Sequence, residues 1–338
     1  MNNATQATPE QTKAPVPPQE ERSSLIKRVF GAREAGLAAA LIVLLVFLTL
    51  ASPYFLTASN LAVVSRQIAL ALIIAIGMTF VIIAGQIDLS VGSTVALTSV
   101  LTGLFMVNLS LPVPVAVLLA LLCGLAVGLV NGLIFANTMI PSFVVTLGML
   151  AMARGLALGI TEGSTISGMP PSFLVLGQGS WLGVPIPVWI AAIIAVVAHL
   201  VLTKTVFGRR VFFLGSSEEA AVLSGIRVKY IKVAIFTIAA GLAATESIIE
   251  TARLSVGQPA AGSGYELVAI GAVVIGGASL LGGQGSILGT ALGATLLALI
   301  QNGLILLSIS AYWQQVFSGA IIILAVGLNM WRQGRARA

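Results

Sequence analysis

Ten long apolar runs constrain this sequence more than any other feature. They lie near 35–52, 67–84, 91–109, 113–135, 142–160, 187–203, 231–252, 265–281, 284–307 and 312–330. A helix needs roughly 20 apolar residues to cross the hydrocarbon core of a bilayer. Because 58% of the residues are hydrophobic and only 8% are charged, no soluble fold could bury so much apolar surface. The sequence therefore predicts an all-α polytopic membrane protein with about ten transmembrane helices.

Glycine and polar residues interrupt the third, eighth and ninth of these runs. Such interruptions predict that some of these spans are broken or re-entrant, which membrane proteins tolerate where the backbone is enclosed by other segments. The tetrapeptide Asn-Gly-Leu-Ile at 131–134 recurs at 302–305. Because the fourth and ninth spans would run in opposite directions, this match suggests an inverted repeat.

Basic residues predict the orientation in the membrane. Fourteen of the 17 Lys and Arg residues lie in the first 33 residues, in the 204–232 segment and after residue 331. Cytoplasmic loops carry an excess of Lys and Arg, so both termini and a 204–230 loop are expected in the cytoplasm, with the chain in a bacterial inner membrane. The net charge of +6 is thus a topology signal and gives no reason to expect a nucleic-acid partner. We expect a disordered cytoplasmic tail over 1–30, a permease domain over 31–331 and a short tail over 332–338.

The predicted cytoplasmic loop contains a short helix with a marked beginning and end. Ser216 and Glu219 have the spacing of a capping box, and Glu218 and Glu219 favour the positive end of the helix dipole. Gly225 fits the left-handed position that ends a helix. The helix would present small and apolar residues, namely Ala220, Ala221 and Leu223. Such a helix suits docking into a groove of another protein, although a surface loop that is merely helical has the same pattern.

Three stretches carry a resemblance to a known family. The loop from Gly215 to Gly225, with Glu-Ala-Ala at 219–221, resembles the coupling helix of ATP-binding-cassette (ABC) importer permeases. Gly77-Met-Thr with the 85–93 stretch, and the 264–286 stretch, resemble the ribose-type sugar permeases. The similarity extends from about Asn60 to Leu328.

This resemblance implies a permease subunit that carries a monosaccharide and performs no catalysis itself. It also implies three partners: a second permease copy in a homodimer, a cytoplasmic ABC ATPase and an extracytoplasmic solute-binding protein. The glycines at 276–285 lack the spacing and the Lys of a phosphate-binding loop, so ATP is not expected on this chain. No cluster of side chains indicates a metal ion or a cofactor.

Ionisable residues at membrane depth are the candidates for the solute path. Asp88 and Ser90 lie in a glycine-rich stretch after the second span, where Asp88 either caps the next helix or faces the solute. Arg154 lies inside the fifth span and requires a counter-charge, for which Asp88 and Glu246 are the candidates.

Two further acidic residues follow one stripe of the seventh span. Glu246, Glu250 and Arg253 are spaced four and three residues apart, so they share a helical face. The ribose-type family usually has small or apolar residues at the two Glu positions, so this chain departs from it here. One interpretation is a Glu250–Arg253 pair with Glu246 hydrogen-bonded inside the bundle. The other is that both carboxylates line the outer half of the path.

The leading interpretation is a homodimeric permease of an ABC importer. Within transport, the solute could instead be a nucleoside, a signalling furanose or an amino acid. A different class, a proton-coupled secondary transporter, would use Glu246, Glu250 and His199 as proton carriers. The capped cytoplasmic helix argues against that class, because a carrier that works alone does not need it.

Overall fold

A computed structural model describes residues 32–310, 312–314, 316–320, 323–324 and 327. The predicted tails at 1–30 and 332–338 lie outside the described residues. So do parts of the tenth apolar run, near 312–330. Most of the described residues are helical and the strands are only two residues long, which confirms the predicted all-α class.

The helices, numbered in chain order, are α1 Ala32–Ala51, α2 Ala58–Ile83, α3 Val91–Gly103, α4 Val113–Asn137, α5 Ser142–Thr161, α6 Pro171–Gln178, α7 Ile186–Lys204, α8 Val206–Ser216, α9 Glu218–Leu223, α10 Val228–Leu254, α11 Tyr265–Ile275 and α12 Ile287–Leu306. A π-helical turn, Leu104–Asn108, extends α3. Within the described residues, eight helices are long and apolar enough to cross a membrane: α1, α2, α3 with its π turn, α4, α5, α7, α10 and α12.

The eighth predicted span, near 265–281, is not a continuous helix. α11 has 11 residues, about 16 Å at 1.5 Å per residue, which is too short to cross a bilayer. After it, Gly277, Gly282 and Gly283 adopt positive φ angles that side-chain-bearing residues rarely accept. The interruption that the sequence predicted is therefore a non-helical segment between α11 and α12.

α2 begins nine residues before its predicted start at 67. Its first turns contain polar side chains, which lower the hydropathy and hid the start of the helix. In the structure these side chains bond to other residues or line a cavity. Asn60 exchanges side-chain hydrogen bonds of 3.3 and 2.9 Å with Asn302 of α12. Gln67 faces the cavity described below.

α10 lies at the centre of the bundle and packs against α2, α3 and α4. Its contact with α4 depends on three glycines, spaced four apart, at 124, 128 and 132. A Cβ at Gly128 would collide with the Phe236 carbonyl oxygen, and one at Gly132 would lie 2.7 Å from the Cα of Val233. Small residues at such spacing let two membrane helices approach closely. α10 can therefore lie this close to α4 because these three positions of α4 carry no side chain.

Hydrogen bonds hold the far end of α10. Ser247 donates to the Val95 carbonyl at 2.7 Å, and the hydroxyls of Thr251 and Ser99 lie 2.8 Å apart, so one face of α10 is bonded to α3. Gln178, the last residue of α6, donates to the carbonyl of Arg253 at 3.1 Å. A short antiparallel pair, β1 Ile166–Ser167 with β4 Val256–Gly257, and a hairpin, β2 Ser180–Trp181 with β3 Val184–Pro185, complete this end.

Candidate functional site

A polar cavity of about 150 Å³ lies between α2, α10, α11 and α12. Its polar lining residues are Gln67, Glu246, Glu250, Arg253, Tyr265 and Gln301. Apolar side chains of α2 and α11, including Leu70, Ile74 and Val268, complete the wall. Six polar side chains around one space inside an apolar bundle require either partners or a polar ligand, because unpaired buried polar groups are costly.

Glu250 already has protein partners in this cavity. Its carboxylate accepts a hydrogen bond from Arg253 Nη2 at 3.0 Å, so the predicted Glu250–Arg253 pair is present. The Tyr265 hydroxyl donates to the same carboxylate at 2.9 Å. Because Tyr265 is the first residue of α11, this contact ties α11 to α10.

Glu246 lies one turn before Glu250 on α10, and its surroundings are different. Its side chain is fully buried (0% exposed). Neither of its carboxyl oxygens accepts a hydrogen bond from an N–H or hydroxyl group among the described residues. Its carboxyl does interact with that of Glu250, so the hydrogen bond predicted inside the bundle stays a prediction. The Glu246 side chain also lines the cavity. The Oε1 of Gln67 is likewise buried without a partner in the described part of the chain.

The cavity is distant from the predicted cytoplasmic helix. Lys232, near the start of α10, contacts α9. Glu246 lies 14 residues further along the helix, about 21 Å at 1.5 Å per residue. α10 therefore connects the α9 end of the bundle to the cavity.

Asp88 and Ser90 do not line this cavity. They belong to the non-helical stretch between α2 and α3, where Asp88 Oδ1 accepts hydrogen bonds from Ser90 N at 2.8 Å and Ser90 Oγ at 2.6 Å. Asn131 of α4 donates to Ser90 Oγ at 2.9 Å. All three side chains are fully buried. This geometry corresponds to the capping alternative for Asp88, and it brings one asparagine of the repeated tetrapeptide into the same network.

The two predicted counter-charges for Arg154 are wrong. Its Nη1 donates to the carbonyl oxygens of Pro259 and Ala261, both at 2.7 Å. The acidic side chain that interacts electrostatically with it is Glu266 of α11. The Asp88 carboxyl instead accepts a hydrogen bond from Ser90 N, and Glu246 lines the cavity. Arg154 thus anchors the loop between α10 and α11, because a guanidinium offers several donors to carbonyl groups at once.

The short helix in the predicted loop is present, but its N-cap is one residue later than predicted. Ser217 accepts a hydrogen bond from Ala220 N at 3.2 Å. Ser216 is the last residue of α8 and donates to the Phe212 carbonyl. The Ser216–Glu219 capping box is therefore wrong, because α8 continues through Ser216. Gly225 follows the helix with φ +72°, the left-handed conformation expected there.

The residues of this loop divide into an exposed set and a buried set. Glu218 and Glu219 are exposed, whereas Ala221 is fully buried in the core. The prediction that Ala221 faces a partner is therefore wrong. The exposed apolar residues of α9 are Val222 and Leu223, and Leu223 is 88% exposed.

Gly215 brings the loop against the interruptions of two membrane segments. A Cβ at Gly215 would collide with the carbonyl oxygen of Ile83, the last residue of α2, and would lie 2.7 Å from Gly283 N. The same Ile83 oxygen accepts a hydrogen bond from Gly283 N at 2.8 Å. The end of α8, the end of α2 and the segment before α12 therefore meet at one point.

A family of transport proteins matches most of the chain. The model of the family described as branched-chain amino acid transport system / permease component matches residues 60–326. The chain belongs to this permease family. It is a transport subunit of the ABC importer type, in which ATP hydrolysis belongs to a separate ATPase partner.

Curated relatives of this permease cover most of its length. The ribose import permease protein of Bacillus subtilis (strain 168) is 43% identical over 86% of this chain and 90% of its own. That of Haemophilus influenzae (strain Rd) is 40% identical over 85% and 90%. The xylose transport system permease protein of the same organism is 33% identical over 86% and 94%. No solved structure matches the chain.

Sequence reasoning missed three residues of the cavity. Gln67 and Gln301 are uncharged and lie on different helices, and their contribution depends on helix packing that no local pattern reveals. Tyr265 and its neighbour Glu266 lie in the Gly264-Tyr-Glu-Leu motif. A phenol and a carboxyl group at the start of an apolar helix are unusual, and this pattern could have identified Tyr265 as a candidate site residue.

Proposed function

We propose that this permease transports a monosaccharide. The observation that carries the proposal is the cavity of about 150 Å³ with its six polar side chains. A protein cavity of about 150 Å³ accommodates one six-membered ring such as benzene. Here six of the eleven lining residues are polar, so the matching occupant is a polar molecule of that size. The named relatives support the same class, since those described above are ribose and xylose permeases.

The ATPase partner is proposed to bind at α9. Val222 and Leu223 project from this helix with 57% and 88% of their surfaces exposed, although both are apolar. Apolar anchors on a short capped helix are typical of helix-in-groove recognition. Gly215 and Glu218 would pass the motion of the ATPase to the membrane helices through Ile83 and Lys232, which they contact.

The rest of the arrangement follows from the basic-residue pattern and the family. We infer that both termini and the α8–α9 loop are cytoplasmic, that a second copy of this chain completes the pore and that a solute-binding protein delivers the sugar to the opposite side. In this orientation the cavity lies in the outer half of the membrane. Glu246 and Glu250 then line the solute path, whereas Asp88, Ser90 and Arg154 have structural roles.

The proton-coupled alternative has less support. Its three proposed carriers would need to exchange protons with one another. His199 is exposed on α7 and is not part of the cavity wall that contains Glu246 and Glu250. An ATP-driven mechanism requires no such relay.

The test is uptake by the complete importer in proteoliposomes. The permease is reconstituted with its ATPase and solute-binding protein, and radiolabelled ribose, xylose and leucine are supplied outside with ATP inside. We expect ATP-dependent uptake of a pentose that a protonophore leaves largely unchanged. Uptake of leucine alone would assign an amino acid solute, and uptake abolished by the protonophore in ATP-filled vesicles would favour the proton-coupled carrier.

A further inference from the structure

The two cavity glutamates differ in what holds them, and this difference bears on which solute the cavity selects. Glu250 is bonded to Arg253 and Tyr265, so its hydrogen-bonding capacity is largely used within the protein. Glu246 is fully buried and lines the same cavity, and its carboxyl interacts with that of Glu250 but accepts no hydrogen bond from any other described residue. A buried polar group in that state is stabilised by whatever ligand supplies the missing hydrogen bonds.

We propose that Glu246 binds two adjacent hydroxyl groups of the solute, and that this contact selects neutral vicinal diols. The inference rests on the proposed function, since it names the chemistry by which the cavity would recognise its sugar. The two oxygens of one carboxyl group lie side by side and can engage two neighbouring groups at once. Hydroxyl groups both donate and accept, so a diol satisfies this carboxyl whether or not it carries a proton.

Gln67 supplies a second contact from the facing helix. Its Oε1 is buried without a partner in the described residues, and the side chain lines the cavity on α2. A solute held by Glu246 on α10 would therefore meet another acceptor across the cavity. A third hydroxyl donor on the solute fits this acceptor.

The charges around the cavity disfavour anions. Arg253 Nη2 lies 3.0 Å from Glu250 Oε1, so the charge of the one basic side chain in the described wall is balanced by a carboxylate, while its buried Nε has no partner among the described residues. Glu246 has no such partner, and Tyr265 offers its hydroxyl to Glu250. An anionic solute such as a uronate would enter beside two acidic groups without an unpaired cation to receive it, and like charges at close range are unfavourable.

Protection of an introduced thiol measures binding at the cavity itself. Cys123 is the single cysteine of the chain, so Cys123→Ala provides a cysteine-free background. Ala71→Cys then places a thiol in the cavity wall, next to Leu70. The purified complex of permease and ATPase is used without the solute-binding protein, whose own selectivity would otherwise obscure the result. The rate of alkylation is measured against the concentration of ribose, 2,3-dideoxyribose and galacturonate.

Ribose is expected to slow alkylation, and 2,3-dideoxyribose, whose ring forms carry no two adjacent hydroxyl groups, should require at least about tenfold higher concentration, as for one unsatisfied buried polar group. Galacturonate should give no protection. Glu246→Gln should retain protection by ribose, since an amide also donates and accepts, whereas Glu246→Leu should lose it. Elution of both variants as intact complexes in size-exclusion chromatography is the control for folding.

Three outcomes would overturn the inference. These are equal protection by ribose and 2,3-dideoxyribose, equal protection in the Gln and Leu variants, and stronger protection by glucosamine than by glucose, which would make Glu246 a cation site. The alkylation assay involves neither ATP nor transport. Failure here alongside ATP-driven pentose uptake would therefore reject only the role of Glu246, and absent uptake would reject the proposed function.

Discussion

The ammonium group of Lys232 lies 2.6 Å from Glu218 Oε1 and 4.4 Å from the centre of the Phe135 ring. Lys232 is on α10, Glu218 begins α9 and Phe135 is near the end of α4. One side chain, only 11% exposed, thus joins the proposed ATPase-binding helix to two membrane helices. Because α10 also carries Glu246 and Glu250, this contact lies at one end of the helix that lines the cavity at its other end.

Exchanging the two charges tests whether this contact couples ATP hydrolysis to uptake. We expect Glu218→Lys and Lys232→Glu each to reduce solute uptake per ATP hydrolysed, because each places like charges together. The double exchange should restore part of the loss. The free energy of unfolding should change by less than about 1 kcal/mol when Glu218 alone is neutralised, since its side chain is 48% exposed. Uptake that is equally low in the double variant and the singles would contradict a pairwise role.

Replacing Leu223 tests the ATPase-binding surface. Leu223→Arg should abolish solute-stimulated ATP hydrolysis and release the ATPase during purification, because it removes an 88% exposed apolar anchor. The isolated permease should remain stable. Ala221→Leu is the contrasting variant, since this buried residue should lower thermal stability through overpacking, by about 1–3 kcal/mol. Normal ATPase retention by Leu223→Arg would remove α9 from the interface.

The N-cap of α9 can be checked by two serine variants. Ser217→Ala should destabilise α9 by about 1 kcal/mol, because Ser217 accepts the Ala220 N–H. Ser216→Ala should have a smaller effect, since Ser216 bonds within α8. Amide hydrogen exchange of α9 measures both. Faster exchange in the Ser216 variant than in the Ser217 variant would show that the capping box operates.

The tie between α10 and α11 depends on the Tyr265 hydroxyl. Tyr265→Phe removes its bonds to Glu250 and should destabilise the protein by about 1.5–3 kcal/mol, the range for hydrogen bonds to charged groups. Thermal unfolding of the solubilised permease measures this loss. Tyr312→Phe is the matched control, because Tyr312 is 85% exposed. Equal unfolding temperatures of the two variants would show that the tie contributes nothing.

Helix packing around α10 predicts a strong effect at Gly128. Gly128→Ala should lower thermal stability, because the added Cβ would collide with the Phe236 carbonyl and push α4 away from α10. Gly36→Ala makes the same chemical change on α1, where no atom of another described segment lies within 4 Å of the new Cβ. That control should be neutral or slightly stabilising, since alanine is the better helix former. A Gly128 variant as stable as the control would contradict the packing argument.

Local patterns in the chain establish the class of the protein and most of its spans. The length of an apolar run decides whether a helix can cross a membrane. The first seven runs and the ninth could therefore be predicted without knowing how they pack. The stripe of Glu246, Glu250 and Arg253 could also be predicted, because helical spacing is local.

The surroundings of those side chains depend on how the helices pack together. Helix packing determines which groups surround Glu246 and places Glu266 near Arg154. It also brings Gln67 and Gln301 from different helices to the same cavity. The cap of α9 belonged to Ser217 because α8 extended one residue further than any local signal indicated. Hydropathy and spacing are properties of one segment, whereas a polar cavity is a property of four helices held together by contacts such as that of Gly128 with Phe236.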